Sequence, residues 1–354
     1  MPRIVDIENV VPEHAVPQSK IAAFVKELFP EFATGKSKLM DIFENTSIKN
    51  RYLAAPLEWF GEQHTFAERN ERYVSEAIRL CSDAITGLLR RRDLPADKID
   101  HIFFVSTTGI STPSIDAFLF NELGLNQFIL RTPIWGLGCA GGVAGIARAC
   151  DWLKAYPEKN ALVVSVELCS LTFVRQDLSK SNLIATSLFG DGASAVLLCG
   201  DRSKIRSDRM LRVLFSDSIT WKNTLDVMGW DIGENGLSVV FSKSIPSITM
   251  EFARPAIVQF LTRHNLGLSD IAVLLSHPGG PKIIAAFERA LEMTDAQTRY
   301  MRSVQSKYGN MSSTTVLFVL NEFMRSQEFR PGMKLLSSSL GPGFSMESFV
   351  AESE

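Results

Sequence analysis

The chain has 354 residues, of which 45% are hydrophobic and 21% charged, and its formal net charge is -2. That balance describes a soluble globular protein with a large core, built as two ordinary domains or one large α/β body. It excludes a broadly basic nucleic-acid-binding surface, so an anionic ligand needs a local basic patch. No apolar run approaches the length that spans a bilayer. The start, Met1-Pro2-Arg3-Ile4-Val5-Asp6, lacks a signal-peptide apolar region. The five cysteines, Cys81, Cys139, Cys150, Cys169 and Cys199, are an odd number with neither paired nor metal-ligand spacing. A reducing, cytoplasmic setting and no metal site are expected.

A first strand ends at the turn Val11-Pro12-Glu13-His14, and Gln18 to about Arg72 reads as mostly helical. Its middle is made basic by Lys36, Lys38, Lys49 and Arg51. Tyr73 to Arg90 is an amphipathic helix with Val74, Ala77, Ile78 and Cys81 on one stripe. Ile99 to Thr107 and Ala161 to Val166 read as buried strands. Between them, Gly136-Leu137-Gly138-Cys139-Ala140-Gly141-Gly142 brings a cysteine onto a glycine-flanked corner, and Val143, Ile146, Ala147 and Cys150 follow at helical spacing. Unpaired N–H groups and the positive helix end are expected to favour the Cys139 thiolate. Gly190-Asp191-Gly192 then turns into a further strand, with Asp191 fixing the turn.

The second half repeats this order at a spacing of about 170 residues, which signals duplication of a supersecondary unit. Asp270 to Gly279 lies over Asp100 to Gly109, Asn310-Met311-Ser312-Ser313 opens a helix as Cys139 does, and Met333 to Ser337 matches Ala161 to Ser165. Gly341-Pro342-Gly343-Phe344-Ser345 matches Gly190 to Ser194. Buried strands alternating with helices predict a layered α/β body. In a twofold-related pair of units, Cys139 corresponds to Asn310 and Thr107 to His277. Ligands of such bodies collect at strand carboxyl ends and helix amino ends, so Cys139, His277 and Asn310 are expected to meet.

The bland alternatives are a buried structural cysteine, a satisfied loop histidine and a helix-capping asparagine. His14, His64, His101 and His264 have surface or strand-start settings and read as structural. The glycines form no nucleotide-binding loop. Taken together, the three residue types suit thioester chemistry. A cysteine takes an acyl group, and His and Asn N–H donors suit a thioester oxygen that becomes an enolate or oxyanion. Without a carboxylate base, decarboxylation of a malonyl thioester generates the carbanion itself. Hydrolysis would instead want an activated water.

Gly138-Cys139-Ala140-Gly141-Gly142, Phe189-Gly190-Asp191-Gly192-Ala193, His277-Pro278-Gly279-Gly280-Pro281, Tyr308-Gly309-Asn310-Met311-Ser312-Ser313 and Gly341-Pro342-Gly343 together resemble the type III polyketide synthases, the chalcone synthase-like family, over nearly the whole chain. The resemblance implies a thiolase-like fold: a duplicated, five-layered αβαβα architecture with a helical N-terminal insertion. Residues 1–205 would carry the nucleophile and 206–354 the His and Asn, in a homodimer. It implies that Cys139 is loaded by an acyl-CoA starter while His277 and Asn310 promote decarboxylative condensation with malonyl-CoA, with no cofactor beyond these CoA substrates. Phe189 falls on a gatekeeping phenylalanine, Val239 on a second gate, and Thr172, Thr107, Thr108 and Thr112 on cavity positions. Lys38 matches a CoA-phosphate residue whose usual companions are replaced by Asp41 and Asn45. Gly279, Gly280, Pro281, Ser312, Gly341 and Pro342 also fall around the substrate. The stretch Glu58-Trp59-Phe60 and His64 to Asn70 is similar to bacterial alkylpyrone and alkylresorcinol synthases, which implies a fatty acyl starter and tri- or tetraketide pyrones or resorcinols. The alternatives are a ketoacyl synthase III-like condensing enzyme, whose histidine is followed by a Gln-Ala-Asn pattern missing here, and a Cys-His-Asn thioester hydrolase. A non-catalytic scaffold would have no use for the three residues.

Overall fold

The computed structural model describes residues 1–30, 41–242 and 245–354. Nine strands form one sheet in the order Val273–Leu274, Lys334–Gly341, Ser345–Ser353, Leu211–Thr220, Arg3–Val10, Asp191–Cys199, Asn160–Leu168, His101–Val105 and Leu130–Ile134. At its centre Arg3–Val10 meets Leu211–Thr220 antiparallel, with Ile4 opposite Leu211. Outward from this seam each wing repeats the same pairings: antiparallel, antiparallel, then parallel. Register agrees as well, with Phe103 opposite Val163 in one wing and Val273 opposite Leu335 in the other. The sequence repeat is therefore a repeat of strand pairing, and the fold is thiolase-like.

Alternation within single strands builds the layers. Asn160–Leu168 is buried along its whole length. Ala161 and Val163 pack inward with Val143 and Ile146 of the helix Gly141–Ala155, while Leu162, Val164 and Val166 pack outward with Tyr73, Ala77 and Leu80. A strand covered on both faces has no use for polar alternation and reads as a continuous apolar run. Helix Gly141–Ala155 and its counterpart Ser312–Arg325 touch each other between the two wings. Helix Phe66–Arg91 covers the outside of the first wing.

Three expectations change. The stretch from Gln18 to Arg72 is not mostly helical: helix Gln18–Leu28 is followed, among the described residues, by the short helix Asp41–Glu44, strand Asn50–Leu53 and a 3-10 turn Leu57–Gly61. Strand Asn50–Leu53 pairs with His14–Pro17, and that nonlocal pairing overrides helical periodicity. The following helix starts at Phe66 rather than Tyr73, because Thr65 and Glu68 form a reciprocal capping box. Finally, Glu167 faces Gly192 while its counterpart Ser339 faces Glu347, so Glu347 and not Gly343 corresponds to Gly192. Gly341 ends the incoming strand of its hairpin, whereas Gly190 precedes the outgoing strand of its own. The two Gly-x-Gly turns are alike in local chemistry and differ in position.

Candidate active site

Cys139 lies in a 3-10 turn, Gly138–Ala140, that runs into helix Gly141–Ala155. The turn is wedged against the end of strand Lys334–Gly341. A Cβ on Gly138 would lie 2.7 Å from Pro342 Cδ, and one on Gly341 2.7 Å from Ala140 Cβ. Only glycine permits this approach, and Gly138 also has φ +48°. Gly341 and Pro342 thus form the floor beneath the cysteine. The part-exposed thiol donates to Ser312 Oγ at 3.6 Å.

Ser312 is held in a left-handed conformation, φ +46°, which a non-glycine residue adopts only under constraint. Its N–H donates to Asn310 Oδ1 at 2.8 Å. Asn310 therefore spends its side-chain oxygen on the first residue of the helix and keeps its amide NH2 for another partner. Its backbone is zipped to the Phe189 strand end: Asn310 N–H donates to the Leu188 carbonyl at 2.8 Å, and Gly190 N–H to the Asn310 carbonyl at 2.9 Å. Cys139, Ser312, Asn310 and Phe189 are thus joined by direct contacts.

His277 enters from the parallel neighbour strand. Its N–H donates to the Ser338 carbonyl at 2.9 Å, on the strand whose end supports Cys139. Gly279 (φ +62°) and Gly280 (φ +139°) then turn the chain into helix Pro281–Leu291, where proline takes the first turn. The imidazole is 5% exposed, and neither ring nitrogen has a hydrogen-bond partner. Burial pushes its pKa down to about 3, so the ring is neutral, with one donor and one acceptor nitrogen.

Burial also decides the state of the thiol. It pushes the Cys139 pKa up to about 12; the Ser312 contact opposes this and the field of Glu167 adds to it. Glu167 was not singled out in the sequence. Its carboxylate accepts from Thr107 N–H at 3.0 Å, Thr107 Oγ1 at 2.9 Å, Thr108 Oγ1 at 2.9 Å and Ser313 Oγ. Burial raises its pKa, with the Ser313 bond the largest opposing effect. The available signal was an acidic residue inside a mostly apolar, buried strand, Asn160–Leu168.

Close to this centre lies a partly open cleft lined by the apolar Ile21, Phe24, Val25, Leu57, Phe60 and Phe173 and also by Cys169, Thr172, Phe189 and Val239. The Phe189 ring sits 6.1 Å from Trp230 and 5.7 Å from Phe241, on the hairpin that also carries Val239. Cys169 lies close enough to Cys139 to feel its charge. A smaller cleft on the other side of Thr172 is lined by Phe66, Arg69, Asn70, Thr108, Leu171 and Leu237. Thr107 is buried in the Glu167 cluster and lines neither space. Thr112 precedes a cis proline and is solvent-exposed, so the chain places it outside both cavities. Lys38 lies outside the described residues.

The other histidines have structural settings: His64 stacks on Trp59, His101 on Phe103 and His264 on Phe215. Among the described residues no group of three His, Cys, Asp or Glu side chains could hold a metal ion, and no helix is long and apolar enough to cross a membrane.

Comparison with known proteins agrees with this geometry. The N-terminal domain model of chalcone and stilbene synthases matches residues 2–202, and the C-terminal one matches 217–353. A protein of Bacillus subtilis strain 168 whose name refers to chalcone synthase is 40% identical over 97% of this chain and 96% of its own. The 1,3,6,8-tetrahydroxynaphthalene synthase of Streptomyces peucetius is 33% identical over 96% of this chain and 90% of its own. The crystal structure of the Streptomyces coelicolor A3(2) enzyme of that name, a bacterial type III polyketide synthase, superposes with a TM-score of 0.92 at 30% identity, covering 99% of this chain and 98% of that one. The chain belongs to the chalcone and stilbene synthase family and is a type III polyketide synthase, an enzyme of the acyltransferase class.

Proposed function

We propose that this enzyme loads a medium- or long-chain acyl-CoA on Cys139 and extends it with malonyl-CoA to tri- or tetraketide pyrones or resorcinols. The CoA thioesters are substrates, and no separate cofactor takes part. His277 and the Asn310 amide donate to the thioester oxygen as malonyl loses CO2, so negative charge develops against two N–H donors. The carbanion then attacks the acyl thioester on Cys139. A neutral His277 suits this role, since it donates one N–H and adds no charge that would hold the malonyl carboxylate back. Phe189, zipped to Asn310, stands between the reacting centre and the apolar cavity.

The observation that carries this reading is the cavity itself. Its apolar wall offers an alkyl chain about 0.8 kcal/mol for each methylene it buries. A relative named as an alpha-pyrone synthesis polyketide synthase-like protein, from Mycobacterium tuberculosis H37Rv, is 28% identical over 96% of this chain. A second reading, a hydroxylated aromatic product of the kind for which the relatives called 1,3,6,8-tetrahydroxynaphthalene synthase are named, needs no alkyl starter.

The deciding experiment incubates purified enzyme with malonyl-CoA and a ladder of acyl-CoA starters, and identifies products by mass spectrometry. Alkylpyrones or resorcinols that lengthen with the starter are expected. Products from malonyl-CoA alone, unchanged by added starters, support the second reading. Free fatty acid with malonyl-CoA untouched would make the protein a hydrolase.

We also propose a homodimer through the free edge of strand Leu130–Ile134. Phe128 is 81% exposed, Leu130 50% and Trp135 52%, an apolar strip along an unpaired strand edge. The five free cysteines fit a reducing cytoplasm.

A further inference from the structure

The hairpin of strands Met228–Gly233 and Gly236–Phe241 forms a two-stranded sheet of its own, outside the nine-stranded main sheet. A lone two-stranded hairpin is marginally stable in water, so its place depends on what it packs against. Side chains alternate along a strand, and one face of Gly236–Phe241 is turned to the protein. Leu237 lines the smaller cleft, Val239 lines the larger one, and Phe241 lies 5.7 Å from the Phe189 ring. On the outer strand Asp231, Ile232 and Gly233 are exposed.

Among the described residues, a single hydrogen bond joins residues 228–241 to the rest of the chain: Arg69 Nη2 donates to the Asn235 carbonyl at the hairpin tip. Arg69 is buried in the first turn of helix Phe66–Arg91, whose start the Thr65–Glu68 capping box fixes. Its Nη1 donates to the carbonyls of Leu171 at 3.2 Å and Phe173 at 2.9 Å, on the turn that carries Cys169 and Thr172. One guanidinium thus ties together the helix, that turn and the hairpin tip. The tip is also fitted to the helix by shape. Gly236 has φ +89°, and a methyl group there would overlap the Phe66 ring. Only glycine lets the tip approach so closely.

We propose that Arg69 is a positioning residue that sets starter selectivity: through the Asn235 carbonyl it latches the hairpin down, keeps Val239 against the larger cleft, and so limits the width of the chain that cleft accepts. The role rests on the reading of the larger cleft as the starter chamber. Arg69 lines the smaller cleft and not the larger, so it acts on the starter through the hairpin. A hydrogen bond from a charged donor is strong for a single contact, and no second one shares the task here.

Two variants release the tip from opposite sides. Arg69→Met keeps the packing stem and removes the donors, whereas Gly236→Ala leaves Arg69 intact and pushes the tip off Phe66. Each is checked for a native melting transition; should Arg69→Met fail to fold, Gly236→Ala carries the test. Two quantities are then read. One is hydrogen exchange in peptides covering residues 228–241. The other is relative kcat/KM for branched or ring-ended against straight-chain acyl-CoA starters of equal length, with malonyl-CoA as extender. Hairpin exchange should rise roughly tenfold or more in both variants, the equilibrium counterpart of one lost charge-assisted hydrogen bond. The ratio of wide to straight starters should also rise roughly tenfold, comparable to the discrimination a pocket draws from one methylene. Arg69→Lys, a point charge that reaches fewer carbonyls, should fall between parent and Arg69→Met. Unchanged exchange in the folded variants would overturn the latch. Faster exchange with an unchanged ratio, or an equal loss for every starter, would overturn the role in selectivity. If the parent takes no acyl starter of either shape, the chamber reading falls and the selectivity role falls with it, while faster exchange would still show that Arg69 holds the hairpin.

Discussion

Gly142 and Ser313 meet backbone to backbone: a methyl group at Gly142 would overlap the Ser313 carbonyl oxygen and lie 2.8 Å from Val316 Cγ1. The helix that Cys139 leads and the helix that Asn310 precedes therefore cross without any intervening side chain at this point. Gly141 is confined in the same way, with Val105 Cγ1 at 2.6 Å from its would-be Cβ. This approach lets Cys139 Sγ reach Ser312 Oγ from the other half of the molecule.

Gly142→Ala should consequently destabilise the protein by about 3 kcal/mol, the upper end of overpacking costs, because a backbone atom cannot rotate away. Urea unfolding gives the number. Acylation of Cys139 should fall with it, and a variant as stable and active as the parent would mean that the helices separate freely.

Cys139→Ala should carry no acyl group after incubation with acyl-CoA, as read by intact-protein mass. His277→Ala and Asn310→Ala should each slow malonyl-CoA decarboxylation by roughly 10²-fold or more, the usual cost of a lost oxyanion donor. Near-normal decarboxylation in both would remove these residues from the reaction.

Alkylation of Cys139 by iodoacetamide in the ligand-free enzyme should rise steadily with pH through the neutral and mildly alkaline range. The thiol, with its pKa pushed up to about 12 by burial, is only fractionally ionised there, and each added pH unit raises the thiolate about tenfold. His277, pulled down to about 3, is neutral throughout this range and contributes no inflection. A plateau already reached near neutrality would instead reveal a thiolate–imidazolium pair.

Val239→Phe should shorten the starters the enzyme accepts, since Val239 lines the cavity beside Phe189. If the ring excludes three methylenes, each worth about 0.8 kcal/mol, the longest starters lose roughly 50-fold in kcat/KM while short ones are spared. Equal losses at every length would put Val239 outside the chain's path.

Leu130→Lys should weaken self-association, because it puts a charge on the exposed end of the free edge strand. Light scattering after size exclusion is expected to give a dimer for the parent and a shift toward monomer for the variant. A parent that is monomeric at all concentrations would refute the edge-strand interface.

The sequence by itself determined the duplicated plan and singled out the groups proposed to react. Strands such as Asn160–Leu168 are buried on both faces and so spell their burial as continuous apolar runs, and a repeated order of strand, helix and strand survives as residue spacing. Cys139, Asn310 and the His277 turn are visible because glycines and prolines with restricted backbone geometry surround them. The tertiary structure alone decided what depends on groups distant in sequence. The upward shift of the Cys139 thiol, the cluster of donors on Glu167, the pairing of Asn50–Leu53 with His14–Pro17 and the unpartnered Nη2 of Arg51 all arise from contacts across the chain. Desolvation and hydrogen-bond satisfaction are properties of a packed site, and no local pattern of residues records them.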